Sequence, residues 1–168
     1  MKKYELIDII RNPVIVILED IRSALNVGAI FRTCDAILAE KLYLLGITPY
    51  PPHNKIPKTA LGATETVPWI YSKDRCSLID NISKEMPLIA VELTDTATEL
   101  YNYNFPKKVG IVLGNEISGV SKKTIEKCIA VVKIPMYGQK ESLNVATSCG
   151  IVLYEIIRQW KFNNKSND

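Results

Sequence analysis

Val14-Ile15-Val16-Ile17-Leu18 is an unbroken apolar run rich in β-branched residues, the pattern of a strand covered on both faces. Behind it, from Asn26 to Leu38, the residues Val27, Ile30, Phe31, Cys34 and Ile37 recur at helical spacing. A buried strand followed by an amphipathic helix is the unit from which parallel sheets are built, and the chain goes on repeating it. Lys41 to Leu45 reads as a second strand, Leu88 to Val91 as a third after a helix from Cys76 to Lys84, and Lys108 to Leu113 as a fourth. Ser121 caps a short helix through Lys127, and Ala130 to Ile134 is a fifth strand stopped by Pro135. Ser142 to Trp160 reads as one long helix with Leu143, Ala146, Cys149, Gly150, Leu153, Ile156 and Ile157 on its apolar side. Between Gly46 and Pro57, the prolines at 49, 51 and 52 exclude regular helix. The alternation predicts an α/β fold, a mostly parallel sheet flanked by helices.

The 168 residues, 47% hydrophobic and 23% charged, suffice for one globular domain with a sizeable core. Residues 1–162 are expected to form that single domain and 163–168 a disordered tail. No apolar run approaches the roughly 20 residues of a membrane span. The segment Met1 to Leu6 lacks the apolar stretch of a secretory signal. Cys34, Cys76, Cys128 and Cys149 lie far apart, as reduced thiols do. A cytoplasmic protein with no membrane partner is expected. One histidine, His53, speaks against a His-based metal site or proton relay, and no metal is expected. The net charge of +3 admits a nucleic-acid partner without demanding one.

In a parallel sheet, ligands bind where strands end and loops begin. Three such loops are unusual here. The first, Glu19 to Arg32, puts Asn26, Gly28 and Arg32 at the start of a helix; read blandly, Asn26 caps that helix and Arg32 is a solvated cation. The second, Gly114 to Gly119, has two glycines and one carboxylate, Glu116, which on the bland reading caps a helix. It matches neither a Walker loop nor a dinucleotide fingerprint. The third runs from Ile134 to Ala146, with Pro135 and Gly138 shaping it and Ser142 and Asn144 at the head of the last helix, where free backbone N–H groups suit a ligand's acceptors.

Taken together, Asn26-Val27-Gly28-Ala29-Ile30-Phe31-Arg32, Leu113-Gly114-Asn115-Glu116-Ile117-Ser118-Gly119 and the stretch from Ile134 to Ala146 resemble, in order, the three motifs of the SpoU family of RNA ribose 2′-O-methyltransferases, within the SPOUT superfamily. Lys58 to Ala63 is similar to the family's segment after its second strand, and the likeness runs from Val14 to Gln159. The resemblance implies a C-terminal trefoil knot, which nothing in the periodicity shows. It also implies S-adenosylmethionine as cofactor, bound by Leu113, Gly114, Glu116, Ile134, Met136, Ser142, Leu143 and Ala146.

The reaction implied is methyl transfer to a ribose 2′-hydroxyl, with Arg32 in the family's catalytic position and Asn26, Glu116, Ser142 and Asn144 arranging the loops or the ribose. A guanidinium is a donor, so Arg32 is read as stabilising the developing alkoxide, the proton passing to an RNA phosphate or another acceptor. The family implies a homodimer in which Arg32 faces the other chain's Ser142–Asn144 turn; a stripe of Val152, Ile156 and Trp160 is the expected dimer surface. The expected partner is RNA, tRNA in preference to rRNA, with Arg22, Lys55, Lys58, Lys122, Lys123 and Lys127 as candidate phosphate contacts. The alternatives are an rRNA substrate, an inactive knotted RNA-binding module, a nucleotide-binding α/β protein and methylation of a base.

Overall fold

The structure, a computed structural model, describes residues 9–162. The tail expected at 163–168 lies outside the described residues. Seven parallel strands form one sheet in the order β3-β2-β1-β6-β4-β7-β5. They are β1 (Asn12–Glu19), β2 (Ala39–Leu45), β3 (Trp69–Ser72), β4 (Leu88–Val91), β5 (Thr98–Glu99), β6 (Val109–Leu113) and β7 (Ala130–Lys133). The helices are α1 (Ala24–Ala36), α2 (Pro57–Ala60), α3 (Ala63–Thr66), α4 (Arg75–Glu85), α5 (Lys122–Ile125) and α6 (Val145–Phe162).

The apolar run of β1 is continuous because two separate cores take its alternate residues. Val14, Val16 and Leu18 pack with α1 and α6 through Phe31, Cys34, Cys149, Val152 and Leu153. Ile15 and Ile17 point the other way, to Ile79 and Ile82 of α4 and to Val120. A strand with only one covered face would have alternated with polar residues.

Two strands expected from no sequence signal complete the sheet: β3 at one edge and β5, of two residues, at the other. Helix α1 begins at Ala24, earlier than the Asn26 start expected, because the hydroxyl of Ser23 accepts from the amide of Asn26 at 3.2 Å. Ser23 is therefore the N-cap, and the side chain of Asn26 is free for other work. Helix α6 begins at Val145 and not at Ser142, since Asn144 caps it, its Oδ1 accepting from the amides of Ala146 (2.9 Å) and Thr147 (3.3 Å). Ser142 and Leu143 consequently stay in the loop.

The stripe expected to form a dimer surface is instead core. Val152 and Ile156 are fully buried, and Trp160 packs against the same cluster while its indole N–H donates to the carbonyl of Pro106 at 3.2 Å. The exposed aromatics of α6 are Tyr154 and Phe162. No described helix is long and apolar enough to cross a membrane. All four cysteines are free, and burial pushes the Cys149 thiol up to about 12.

Candidate active site

The carboxyl ends of β4, β6 and β7 open onto a cleft of about 480 Å³. Each wall follows from what the strand below it leaves exposed: Val91 to Leu93 after β4, Leu113 to Ile117 after β6, and Lys133, Ile134 and Met136 after β7. The loop Glu141 to Asn144 and the first turn of α6, through Val145 and Ser148, close the remaining side. Apolar side chains such as Leu113, Ile134, Met136 and Leu143 share the lining with polar ones such as Asn115, Glu116, Ser142 and Asn144, and the volume suits a nucleoside-sized ligand. Among the described residues no cluster of carboxylate, cysteine or histidine side chains could hold a metal ion.

Glu116 organises this region. Its carboxylate accepts from the amides of Arg22 (2.9 Å) and Ser23 (3.1 Å) and from the side-chain amide of Asn26 (3.3 Å). It thus satisfies orphan N–H groups at the start of α1, from a loop some ninety residues away in sequence. Desolvation works to raise its pKa. The hydrogen bonds from the amides of Arg22, of Glu116 itself and of Ser23, with that of Asn26, outweigh it and hold the carboxyl below its ordinary value. Glu116 is a helix cap after all, but of the distant α1 and not of the helix that follows it.

Asn26 continues the link. While its amide donates to Glu116, its Oδ1 accepts from Nδ2 of Asn144 at 3.0 Å, and Asn144 caps α6. One connected set of hydrogen bonds therefore joins the three loops singled out in the sequence. Asn115 adds a tie to β1, its amide donating to the carbonyl of Asp20 at 2.8 Å. Gly119, at φ +71°, turns the same loop back against Glu92, whose Oε2 accepts from the amide of Val120 at 2.9 Å.

Of the residues expected at a cofactor, Leu113, Gly114, Glu116, Ile134, Met136, Ser142 and Leu143 line the cleft. Ala146 does not: it is the second residue of α6 and sits half-buried against the core. Val91, Glu92, Leu93, Lys133, Glu141 and Ser148 line the cleft without having been singled out. The rule that ligands gather at strand carboxyl ends would have found the first four.

Arg32 lies elsewhere. It is exposed and borders a shallow depression with Ala29, Thr33, Ala36, Lys58, Thr59 and Tyr154, where α1, α2 and α6 meet. Six residues of helix separate it from Asn26, which turns it about 120° and advances it about 9 Å. Asn26 and Arg32 therefore serve different faces of the molecule. Gly28, between them, is required by contact: a Cβ there would collide with the hydroxyl of Thr59 and the carbonyl of Ile56.

A parallel α/β sheet with a nucleoside-sized cleft at its carboxyl edge, cross-linked through three loops, defines a class of ligand-binding α/β domain. The family model described as the SpoU rRNA methylase family matches residues 13–154, and the chain belongs to that family. It is similar to the 23S rRNA (guanosine-2′-O-)-methyltransferase RlmB of Coxiella burnetii, 33% identical over 150 residues, 86% of this chain and 58% of that one. It is also similar to the tRNA (guanosine(18)-2′-O)-methyltransferase of Aquifex aeolicus, at 30% identity over 86% of this chain and 69% of that one. Among solved structures, the SpoU methyltransferase AviRb from Streptomyces viridochromogenes, in complex with AdoMet, shares the fold with a TM-score of 0.82 at 23% identity, over 91% of this chain and 62% of that one. The chain spans about six tenths of the length of the RlmB relatives.

Proposed function

We propose that this chain is an RNA methyltransferase that uses S-adenosylmethionine to methylate a ribose 2′-hydroxyl. The observation that carries the reading is the hydrogen-bonded path Glu116–Asn26–Asn144, which assembles three loops of the SpoU family pattern around one cleft. The cleft fits the cofactor on its own chemistry: Ile134, Met136, Leu143 and Leu113 supply apolar walls for an adenosine, and the loop backbones supply polar groups. Leu113, Gly114, Glu116, Ile134, Met136, Ser142 and Leu143 would hold it. When bound, the group supplies an electrophilic methyl on a sulfonium.

The chain's own contribution is position and charge. Arg32 carries a permanent positive charge, suited to stabilising a developing alkoxide in a site closed to water. An RNA phosphate or another acceptor takes the proton. Because Arg32 and the cleft occupy different faces of one chain, the reading has Arg32 delivered by a second copy, to the Ser142–Asn144 turn. Tyr154, exposed on α6 at the rim of the Arg32 depression, then belongs to the surface between copies. The knot of the family belongs to the same proposal, as does a place in the cytoplasm.

The relatives' names include both 23S rRNA and tRNA, so the preference for tRNA is tested against both. The experiment offers radiolabelled S-adenosylmethionine with unmodified bulk tRNA and, separately, ribosomal RNA, and resolves the nucleosides after digestion. A 2′-O-methylated nucleoside, absent with Arg32→Ala, is the expected result. Label on a base overturns the ribose assignment. Cofactor binding without incorporation calls for another RNA, and no cofactor binding leaves the inactive RNA-binding module. Sedimentation of the wild-type chain as a strict monomer overturns the shared site.

A further inference from the structure

The other half of the carboxyl edge holds a feature that the cleft does not use. Tyr50, in the loop after β2, stacks on Tyr71 of β3 with ring centroids 3.8 Å apart and planes inclined by 23°. Tyr71 is the fixed member of the pair, since its hydroxyl donates to the carbonyl of Gly46 at 3.0 Å. The Gly46 turn is itself held: the amide of Ile47 donates to Asp20 at 3.0 Å, and Arg75 clamps the same carboxylate. Tyr50 lies on top. One face of its ring is covered by Tyr71, yet Tyr50 remains 43% exposed, and Ile47 in the same loop is 68% exposed.

The charges at this edge are of one sign once the internal bonds are counted. The loops that follow β1, β2 and β3 carry Arg22, Lys55 and Lys73, all exposed, and none forms an ion pair among the described residues. The acids of those loops are engaged: Asp20 with Arg75, and Asp74 in capping α4 through the amide of Ser77 at 3.1 Å. Glu116, from the loop after β6, is held by the start of α1. A rigid aromatic face amid unengaged cations is the chemistry of single-stranded nucleic acid binding, in which bases stack and phosphates meet lysine and arginine. An acidic peptide would account for the cations and leave the open ring face without a partner.

We infer that Tyr50, supported from beneath by Tyr71, is a stacking platform for an unpaired base of the RNA, with Arg22, Lys55 and Lys73 meeting the adjoining phosphates. The inference rests on the RNA-methyltransferase reading and deepens it by assigning a substrate-positioning surface. Strand β3 stands three places from β6 in the sheet, a lateral distance of roughly 15 Å, so a short run of single-stranded RNA bridges platform and cleft.

The test titrates fluorescein-labelled single-stranded oligoribonucleotides, one series with normal bases and one abasic, into the full chain and its Tyr50→Ala and Tyr50→Phe variants, followed by anisotropy. Tyr50→Ala should weaken binding roughly 5- to 150-fold, equivalent to the ~1–3 kcal/mol of one stacked base. Tyr50→Phe should bind within about twofold of wild type, because stacking needs the ring and not the hydroxyl. The abasic oligonucleotide should bind wild type as weakly as the normal one binds Tyr50→Ala. Unchanged binding by Tyr50→Ala, failure of Tyr50→Phe to retain binding, or a wild-type protein that does not distinguish abasic from normal RNA would each overturn the platform. Calorimetry with S-adenosylmethionine separates the two readings. Intact cofactor binding beside a failed oligonucleotide test removes the platform alone, whereas Tyr50-dependent RNA binding without cofactor binding removes the methyltransferase and leaves the platform standing.

Discussion

The cleft and the Arg32 depression are built on the same helix, yet they differ in how far one chain completes them. At the cleft, Glu116 caps α1, Asn26 bridges to Asn144, and Asn144 caps α6, so every polar side chain of that path is already bonded within the chain. At the depression, Arg32 is exposed and forms no hydrogen bond or ion pair among the described residues. The first region is preorganised and its groups carry structural weight; the second presents a charge with nothing yet to act on. The contrast predicts that substitutions in the two regions separate activity from stability.

The largest effect is expected at the depression. Arg32→Ala should lower methyl transfer by roughly 10²–10³-fold, the usual cost of a lost electrostatic donor at a developing oxyanion. Cofactor affinity and melting temperature should stay at wild-type values, read by calorimetry and by thermal unfolding. A large drop in melting temperature would show that Arg32 has a folded-state partner and would collapse the contrast. Glu116→Ala should behave in the opposite way. Loss of a helix cap costs on the order of 1 kcal/mol, which for a chain of this size lowers the melting temperature by about 2–4 °C. Cofactor affinity should fall with it, since the loop that Glu116 anchors is a wall of the cleft.

Acid sharpens the same comparison. The Glu116 carboxyl is held below its ordinary value, so the folded state binds its proton less readily than the unfolded chain. Its contribution to stability is complete above the unfolded carboxylate range, near pH 4 to 5, and is lost as pH falls through the lower folded value. Glu116→Gln should therefore flatten the acid limb of the stability curve relative to wild type, and Arg32→Ala should leave that limb unchanged. Denaturant midpoints measured from pH 6 downward would show it.

The sequence was legible where one segment carried its own signal and silent where distant segments had to meet. β1, β4 and β6 announce themselves through apolar runs, and α1 through its period. β3 escaped because Pro68 precedes it and it lies at the sheet edge, where a short strand needs no second apolar face. β5 has two residues and no pattern to read. The three loops were found as motifs, yet the bonds joining them span 90 and 118 residues, and no spacing rule reports that. The α6 stripe was misassigned for a related reason: periodicity shows that a helix has an apolar side, not what covers it. Here Val152 and Ile156 cover the sheet, leaving Tyr154 on the outside.

The smallest effects test how far the organisation of the cleft reaches into its third loop. Asn144 and Ser142 are two residues apart and both line the cleft, but only Asn144 is tied into the fold. Asn144→Ala removes the α6 cap and the bond to Asn26 together, and should cost about 1 kcal/mol, at the scale of one N-cap. Ser142 forms no hydrogen bond among the described residues, so Ser142→Ala should leave stability within about 0.5 kcal/mol, as surface substitutions do. If Ser142 meets ligand or ribose, its loss appears only in the binding or rate constants. A Ser142→Ala protein as unstable as Asn144→Ala would mean that the loop ahead of α6 is held by its hydroxyl, and that preorganisation extends one turn further than the hydrogen bonds of the free chain show.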